Sequence, residues 1–207
     1  MASGKEWKPL LEGADVSRFR VEWGGNEYIR YGPWLGAPRE QRFFKEPRIL
    51  VRQIISGQPP RIYAGYCEDE FYNSQVAFNL LARQGGPVLL KAVLGVLCST
   101  LMTWYHRHRF LDPTKSTFQK ILVQDTKRLP IPSFLHSDGR PTEACLALAS
   151  VVDRMQKLKA QPTGSASALA RAAMENAVQK ADHEIDLLVY ALYGLTPEEI
   201  ARVERPA

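Results

Sequence analysis

The sequence predicts an α/β (α+β) head with a mixed sheet and one long buried helix, followed by a helical hairpin or arm. Three observations predict it. Short alternating and β-branched segments, punctuated by Gly and Pro, run up to residue 81. An apolar run from Val88 to Tyr105 follows them. From residue 142 onward, apolar residues return at steps of three and four across one short linker. Residues 1–134 are therefore read as the head. Residues 135–207 are read as the arm, with helices at about 142–160, 168–193 and 197–203.

Residues 1–9 read as a tag or cut end leading through Trp7 and Pro9. Leu10 to Arg20 is a turn-rich lead-in, with Gly13 and Asp15 as turn formers. Glu27 to Tyr31 alternates as a strand does. Residues 32–42 hold two Pro and two Gly, which predicts a loop. Arg48 to Ile55 is the clearest strand, and its β-branched run suits a central position. Gly57 to Pro60 turns the chain into a second strand, Arg61 to Cys67. A third is expected from Phe71 to Leu81, with Asn73 and Ser74 inside it.

Gly85-Gly86-Pro87 opens the long helix, Pro being tolerated where the first N–H needs no partner. The helix should end near His106–Arg109, where cations meet the negative end of its dipole. Phe118 to Val123 fits either a strand or one helical turn, and Pro130 and Pro132 then end regular structure. In the arm, Cys145, Leu148, Val152 and Met155 mark one inner face. On the second helix Met174, Val178, Ala181, Ile185, Leu188 and Leu192 have the heptad spacing of a helix–helix seam. Gly194 stops that helix, and Thr196-Pro197-Glu198-Glu199 caps the last one. Periodicity fits a hairpin packed on the head and a spacer or dimerisation arm equally well.

Charge is uneven. Residues 1–134 carry 19 Lys/Arg against 12 Asp/Glu, while residues 135–207 carry 8 against 10. A basic head points to a polyanionic partner. Cys67, Cys98 and Cys145 are odd in number and far apart, which fits a reduced, cytoplasmic protein and no zinc site. The N-terminus has no signal-peptide core. Val88 to Tyr105 reads as a buried helix rather than a membrane span, because Lys91 sits inside it and no second span exists.

No catalytic or metal centre is predicted. Phosphate-loop, dinucleotide and HExxH patterns are absent. Glu68-Asp69-Glu70 reads as a solvated turn, since a divalent cation needs ligands converging from several directions. His106 and His108 are two apart and cannot share a helix face. What remains is basic and polar. Arg18, Arg20, Arg30, Arg39, Arg42, Lys45, Arg52, Arg61, Asn73, Gln75, Lys115 and Lys120 are the candidates for contact with DNA, chosen on charge and loop position. The interleaved aromatics, Phe19, Trp23, Tyr28, Tyr31, Trp34, Phe43, Phe44 and Tyr63, read as core.

The order of six segments resembles the TaqI-like C-terminal specificity domain. They are WKPLLEGADVSRF from residue 7, RILVRQI from residue 48, FYNSQV from residue 71, the apolar run 88–105, FQKILVQDTKRLPIP from residue 118, and the tail 184–204. Cys98 stands where that family usually has Asn. The resemblance implies the target-recognition part of a restriction–modification enzyme, of fused type II or type I-like organisation. It implies double-stranded DNA as partner, read in the major groove for a linked adenine- or cytosine-N methyltransferase or endonuclease. No [DNS]-P-P-[YFW] methylation motif occurs. S-adenosylmethionine and Mg are therefore expected only in a catalytic part outside this chain. The chain reads as a C-terminal fragment, or as a one-head subunit forming a homodimer through its helices. The alternative function is a helical dimerisation or protein-interaction module.

Overall fold

The computed structural model describes residues 6–55, 61–112, 114, 119–162 and 167–205. Strand β5 (Arg48–Arg52) lies between β6 (Ala64–Cys67) and β8 (Ala77–Leu81), antiparallel to both. Its central place follows from its residues. Ile49 and Val51 point into the main core, while Leu50 points to a second cluster with Leu11, Val16, Cys67 and Ala77. A second small sheet has β1 (Trp7–Leu11) between antiparallel β4 (Tyr28–Arg30) and parallel β7 (Tyr72–Asn73). The hairpin of β2 (Val16–Ser17) and β3 (Arg20–Val21) completes the strands. Gly65 in β6 permits a close approach of β3, since a Cβ there would sit 2.7 Å from the backbone of Arg20.

Several expectations need correction. Trp7–Pro9 are not a loose end: they pair with β4 in register, Trp7 opposite Arg30. The turn-rich lead-in holds the rest of β1, a single 3-10 turn at Gly13–Asp15 and the β2–β3 hairpin. The predicted loop after β4 ends in a short helix, α1 (Arg42–Lys45). The third strand is two strands, β7 and β8. Between them the Asn73 side chain donates to the carbonyls of Ser74 and Ala77 at 3.2 and 2.7 Å, which clasps a turn. Of residues 119–123, Lys120 bridges Ile54 and Val123 begins a one-turn helix, α4 (Val123–Thr126), so both readings of that run hold locally.

The long helix is broken. It forms α2 (Gly86–Cys98) and α3 (Thr100–Phe110), bent by 63°. Ser99 makes the break. Its backbone is extended, and its Oγ accepts from Met102 N–H at 3.1 Å while donating to the Val96 carbonyl at 2.8 Å. One hydroxyl thus closes one helix and caps the next. Among the described residues no single helix is long and apolar enough to cross a membrane, and seven residues of α2 are buried.

Helices α5 (Glu143–Ala160), α6 (Ala168–Tyr193) and α7 (Pro197–Val203) follow. They pack on the head. Leu148, Val152, Ala181 and Ile185 belong to the same buried cluster as Ile49, Leu94 and Leu97, with Val178, Leu188 and Leu192 at its edge. The core therefore runs straight through the expected boundary at 134/135. Most of the predicted seam is spent inside the fold, whereas Met174 stands in the half-exposed first turns of α6. Gly95 brings α2 against α5, because a Cβ there would lie 2.8 Å from Leu148 Cγ.

Candidate nucleic-acid interface

The predicted contact residues separate into three groups. The first is turned inward. Arg18 donates to Asp182 on α6 through both terminal nitrogens, at 2.9 and 2.7 Å, and to the Cys98 carbonyl at 2.6 Å. Burial disfavours its charge, but Asp182 outweighs that and raises its pKa. Beside it, Asp186 accepts from the backbone and hydroxyl of Thr100 at 2.7 and 2.6 Å, and burial pushes its carboxyl up despite those bonds. Arg18 is thus withdrawn from the basic surface. Asn73 is likewise occupied by the β7–β8 turn. Arg48, one of the head's recurrent arginines, is fully buried, with its terminal nitrogens on the carbonyls of Glu46, Asp69 and Phe71. Burial lowers its pKa.

The second group surrounds the loop between β4 and α1. Arg30 lies 3.2 Å from Glu6, with its guanidinium 5.0 Å from the Trp34 ring centre. Arg42 pairs with Glu40 at 2.9 Å, and Lys45 bonds Gln41 at 2.9 Å and lies 3.7 Å from Glu70. Arg39 is exposed, and its carbonyl accepts from the Tyr31 hydroxyl at 2.5 Å. Trp34 is not core, as the sequence suggested, but 60% exposed, because its indole N–H is held on the Arg30 carbonyl at 3.1 Å at the surface. Its ring lies on Gly32, where a Cβ would come within 2.2 Å of it. Beneath the loop, Tyr31, Phe44 and Tyr72 cluster with centroids 4.5–5.3 Å apart, Phe44 stacked on Tyr72 and Tyr31 edge-on to Phe44. Burial and the Glu70 carboxylate push Tyr72 up to about 12. The loop is therefore a fixed platform presenting one indole and several cations.

The third group sits at the far end of β5. Arg52 lies over the Tyr63 ring at 5.3 Å, Arg61 is half-buried ahead of β6, which begins only at Ala64 rather than at Arg61 as expected, and Lys120 is exposed opposite Ile54. Arg20, nearer the middle of the head, is paired with Glu22 at 2.5 Å. Gln75 is exposed in the β7–β8 turn, and Lys115 lies outside the described residues. Arg107, Arg109, Lys127 and Arg128 were not singled out from the sequence, which offered only a helix-ending role for the first two. Among the described residues no group of three or more His, Cys, Asp or Glu could hold a metal. A cleft of about 420 Å³ opens between β3 and α5, where Arg20 and Glu22 in its wall neutralise each other.

Fold and surface together define an α/β head with cations on its loops, braced by a helical hairpin. The chain belongs to the TaqI-like C-terminal specificity domain family, whose model matches residues 8–131. The resemblance carried by the five segments between residues 7 and 132 therefore holds, while the tail 184–204 lies beyond the match. No curated protein sequence matches the chain. Among solved structures it is similar to the type IIL restriction–modification enzyme MmeI in complex with DNA, with a TM-score of 0.59 at 14% identity. That likeness covers 96% of this chain and 30% of that one, so this chain spans under a third of MmeI. It shows a shared fold, which includes the helical hairpin beyond the family match.

Proposed function

We propose that this chain reads a short duplex DNA sequence for a restriction–modification enzyme, directing a linked methyltransferase, endonuclease or both. The observation that carries the reading is the braced Arg30–Trp34–Arg39–Arg42 loop, displayed within the stretch that matches the specificity-domain family. Guanidinium groups match guanine edges and phosphates, and the indole offers a stacking or wedging surface. The catalytic step, with S-adenosylmethionine and Mg, belongs to the linked part in this proposal. The buried faces of α5 and α6 support the reading of the hairpin as a brace, so any homodimer has to use other surface, such as exposed Leu169 and Leu187.

The test is a salt-titrated selection of this chain on random duplexes, with sequencing of the retained fraction. Enrichment of one short sequence is expected, with affinity falling steeply as salt rises. Failure of the folded chain to retain duplex at low salt sinks the proposal.

A further inference from the structure

Four cations stand at the end of α3 and just after α4. Arg107, Arg109, Lys127 and Arg128 meet no carboxylate at ion-pairing distance among the described residues. By contrast Arg20, Arg30, Arg42 and Lys45 each have an acidic neighbour. The fold gathers the set from separate segments. The guanidinium groups of Arg109 and Arg128 both lie 5.6 Å from the Phe110 ring centre. Asp112 and Gln119 bond each other at 3.0 and 3.1 Å, which brings the next segment back beside α3. Lys120 then extends the same stretch toward β5 through its pairing with Ile54. Of the nearby acids, Asp112 accepts from the Thr114 N–H and hydroxyl at 2.9 and 2.6 Å, and Asp125 has a carboxylate oxygen on the Leu122 N–H.

Such a grouping of solvated cations from separate segments favours a polyanion beside it. One helix-end cation gains from the dipole of α3, but that effect fades within a turn and leaves Lys127 and Arg128 unexplained. A guanidinium resting on an aromatic face keeps its edge donors free, and that fork matches phosphate oxygens. We infer that Arg107, Arg109, Lys127 and Arg128, with Lys120, form a phosphate-binding patch that grips the DNA backbone apart from the β4–α1 loop. The inference rests on the DNA reading above. Lys45 precedes the start of β5, whereas Lys120 sits beside Ile54 past its end, about 20 Å further along at strand rise. No single phosphate serves both, so the two surfaces should act independently.

The experiment compares this chain with R109Q/R128Q and R109K/R128K in duplex binding across a salt series, with thermal melting of each as a check on folding. Each phosphate contact contributes about 0.9 to the slope of log affinity against log salt. The glutamine pair should lower that slope by about 2, weaken all duplexes alike and leave the enriched sequence unchanged. The lysine pair should keep the slope. If the parent chain binds duplex and the glutamine pair keeps its slope, the patch is wrong and the DNA reading stands. If the lysine pair loses as much as the glutamine pair, charge is not what matters there and the patch is wrong. If the folded parent chain binds no duplex, both readings fall.

Discussion

Arg18 and Asp182 stand 164 residues apart and meet in a two-pronged ion pair, Nη1 to Oδ2 at 2.9 Å and Nη2 to Oδ1 at 2.7 Å. The pair ties the β2–β3 hairpin to α6, and a third bond from Nη2 reaches the carbonyl of Cys98 beside the α2–α3 break. Phe19, next in the chain, holds φ +67 with its ring buried, an unusual backbone for a bulky residue. That backbone persists because its N–H bonds the Ala64 carbonyl at 2.7 Å and its own carbonyl accepts from Gln156. Breaking a fully buried pair costs about 3–5 kcal/mol. Here the side chains keep 16% and 26% exposure, so solvent screens them and Asp182→Asn should cost about 2–3 kcal/mol. Urea unfolding of Asp182→Asn, Arg18→Met and the double variant checks it. A coupling energy near zero defeats the account.

Two glycines should respond differently to Ala. At Gly65 the added Cβ meets backbone, Arg20 C and O both at 2.7 Å, which cannot move without opening β3 from β6. At Gly95 it meets the buried Leu148 side chain at 2.8 Å rather than backbone, and Ala gains about 1 kcal/mol of helix propensity over Gly as a partial offset. Gly65→Ala should therefore cost at least about 2 kcal/mol, and Gly95→Ala clearly less. Equal losses in chemical denaturation would contradict this ordering.

On the binding side, Trp34 should matter to DNA and little to folding. With 60% of it exposed, Trp34→Ala should leave the melting temperature nearly unchanged. Loss of an aromatic contact to a base weakens binding by about 1–3 kcal/mol, so affinity should drop roughly tenfold or more. Arg39→Gln should alter the enriched sequence if its guanidinium reads a base, and only the salt slope if it meets a phosphate. Affinity unchanged in both variants would move the reading surface elsewhere on the head.

The central strand, the start of α2, the seam of α6 and the caps of α7 were legible because each depends on neighbours close in sequence. The joints were not. Ser99 lies in an apolar run whose hydropathy continues on both sides, so only its capping bonds reveal the bend. Arg18 reads as a surface cation until Asp182 is brought to it, and nothing within its own segment announces that partner. Several segments that carry the family resemblance turn out to hold such joints: Arg18 in the first, Asn73 in the third, Ser99 in the fourth. At Pro130, in the fifth, the carbonyl accepts from the Tyr193 hydroxyl at 2.5 Å. They fix the frame, and this is why they gave the fold without giving the contact surface. The cations of α3 and α4 were missed for a related reason. Whether a charge is spent depends on which carboxylate folds beside it, and local sequence does not state that.

His106 should make the fold acid-sensitive. It is 1% exposed, its Nε2 has no hydrogen-bond partner among the described residues, and its ring faces Phe110 at 5.6 Å. Burial lowers its pKa below the ordinary 6.5, with Asp125 opposing the shift only in part. Between its folded value and 6.5, the unfolded chain binds more protons than the folded one, so stability rises with pH across that window. The contribution is complete above 6.5 and is lost as pH falls through the window. Asp186 acts with the opposite sign. Its raised carboxyl takes a proton more readily in the folded state, so its contribution improves as pH falls toward the ordinary 3.8. The two are separated by measuring unfolding free energy from pH 5 to 8 for the parent chain and His106→Leu. The difference between the curves isolates the histidine and should shift against the parent chain as pH drops below 6.5. A difference independent of pH would mean that His106 titrates normally in the folded state, and that its buried ring is open to protons after all.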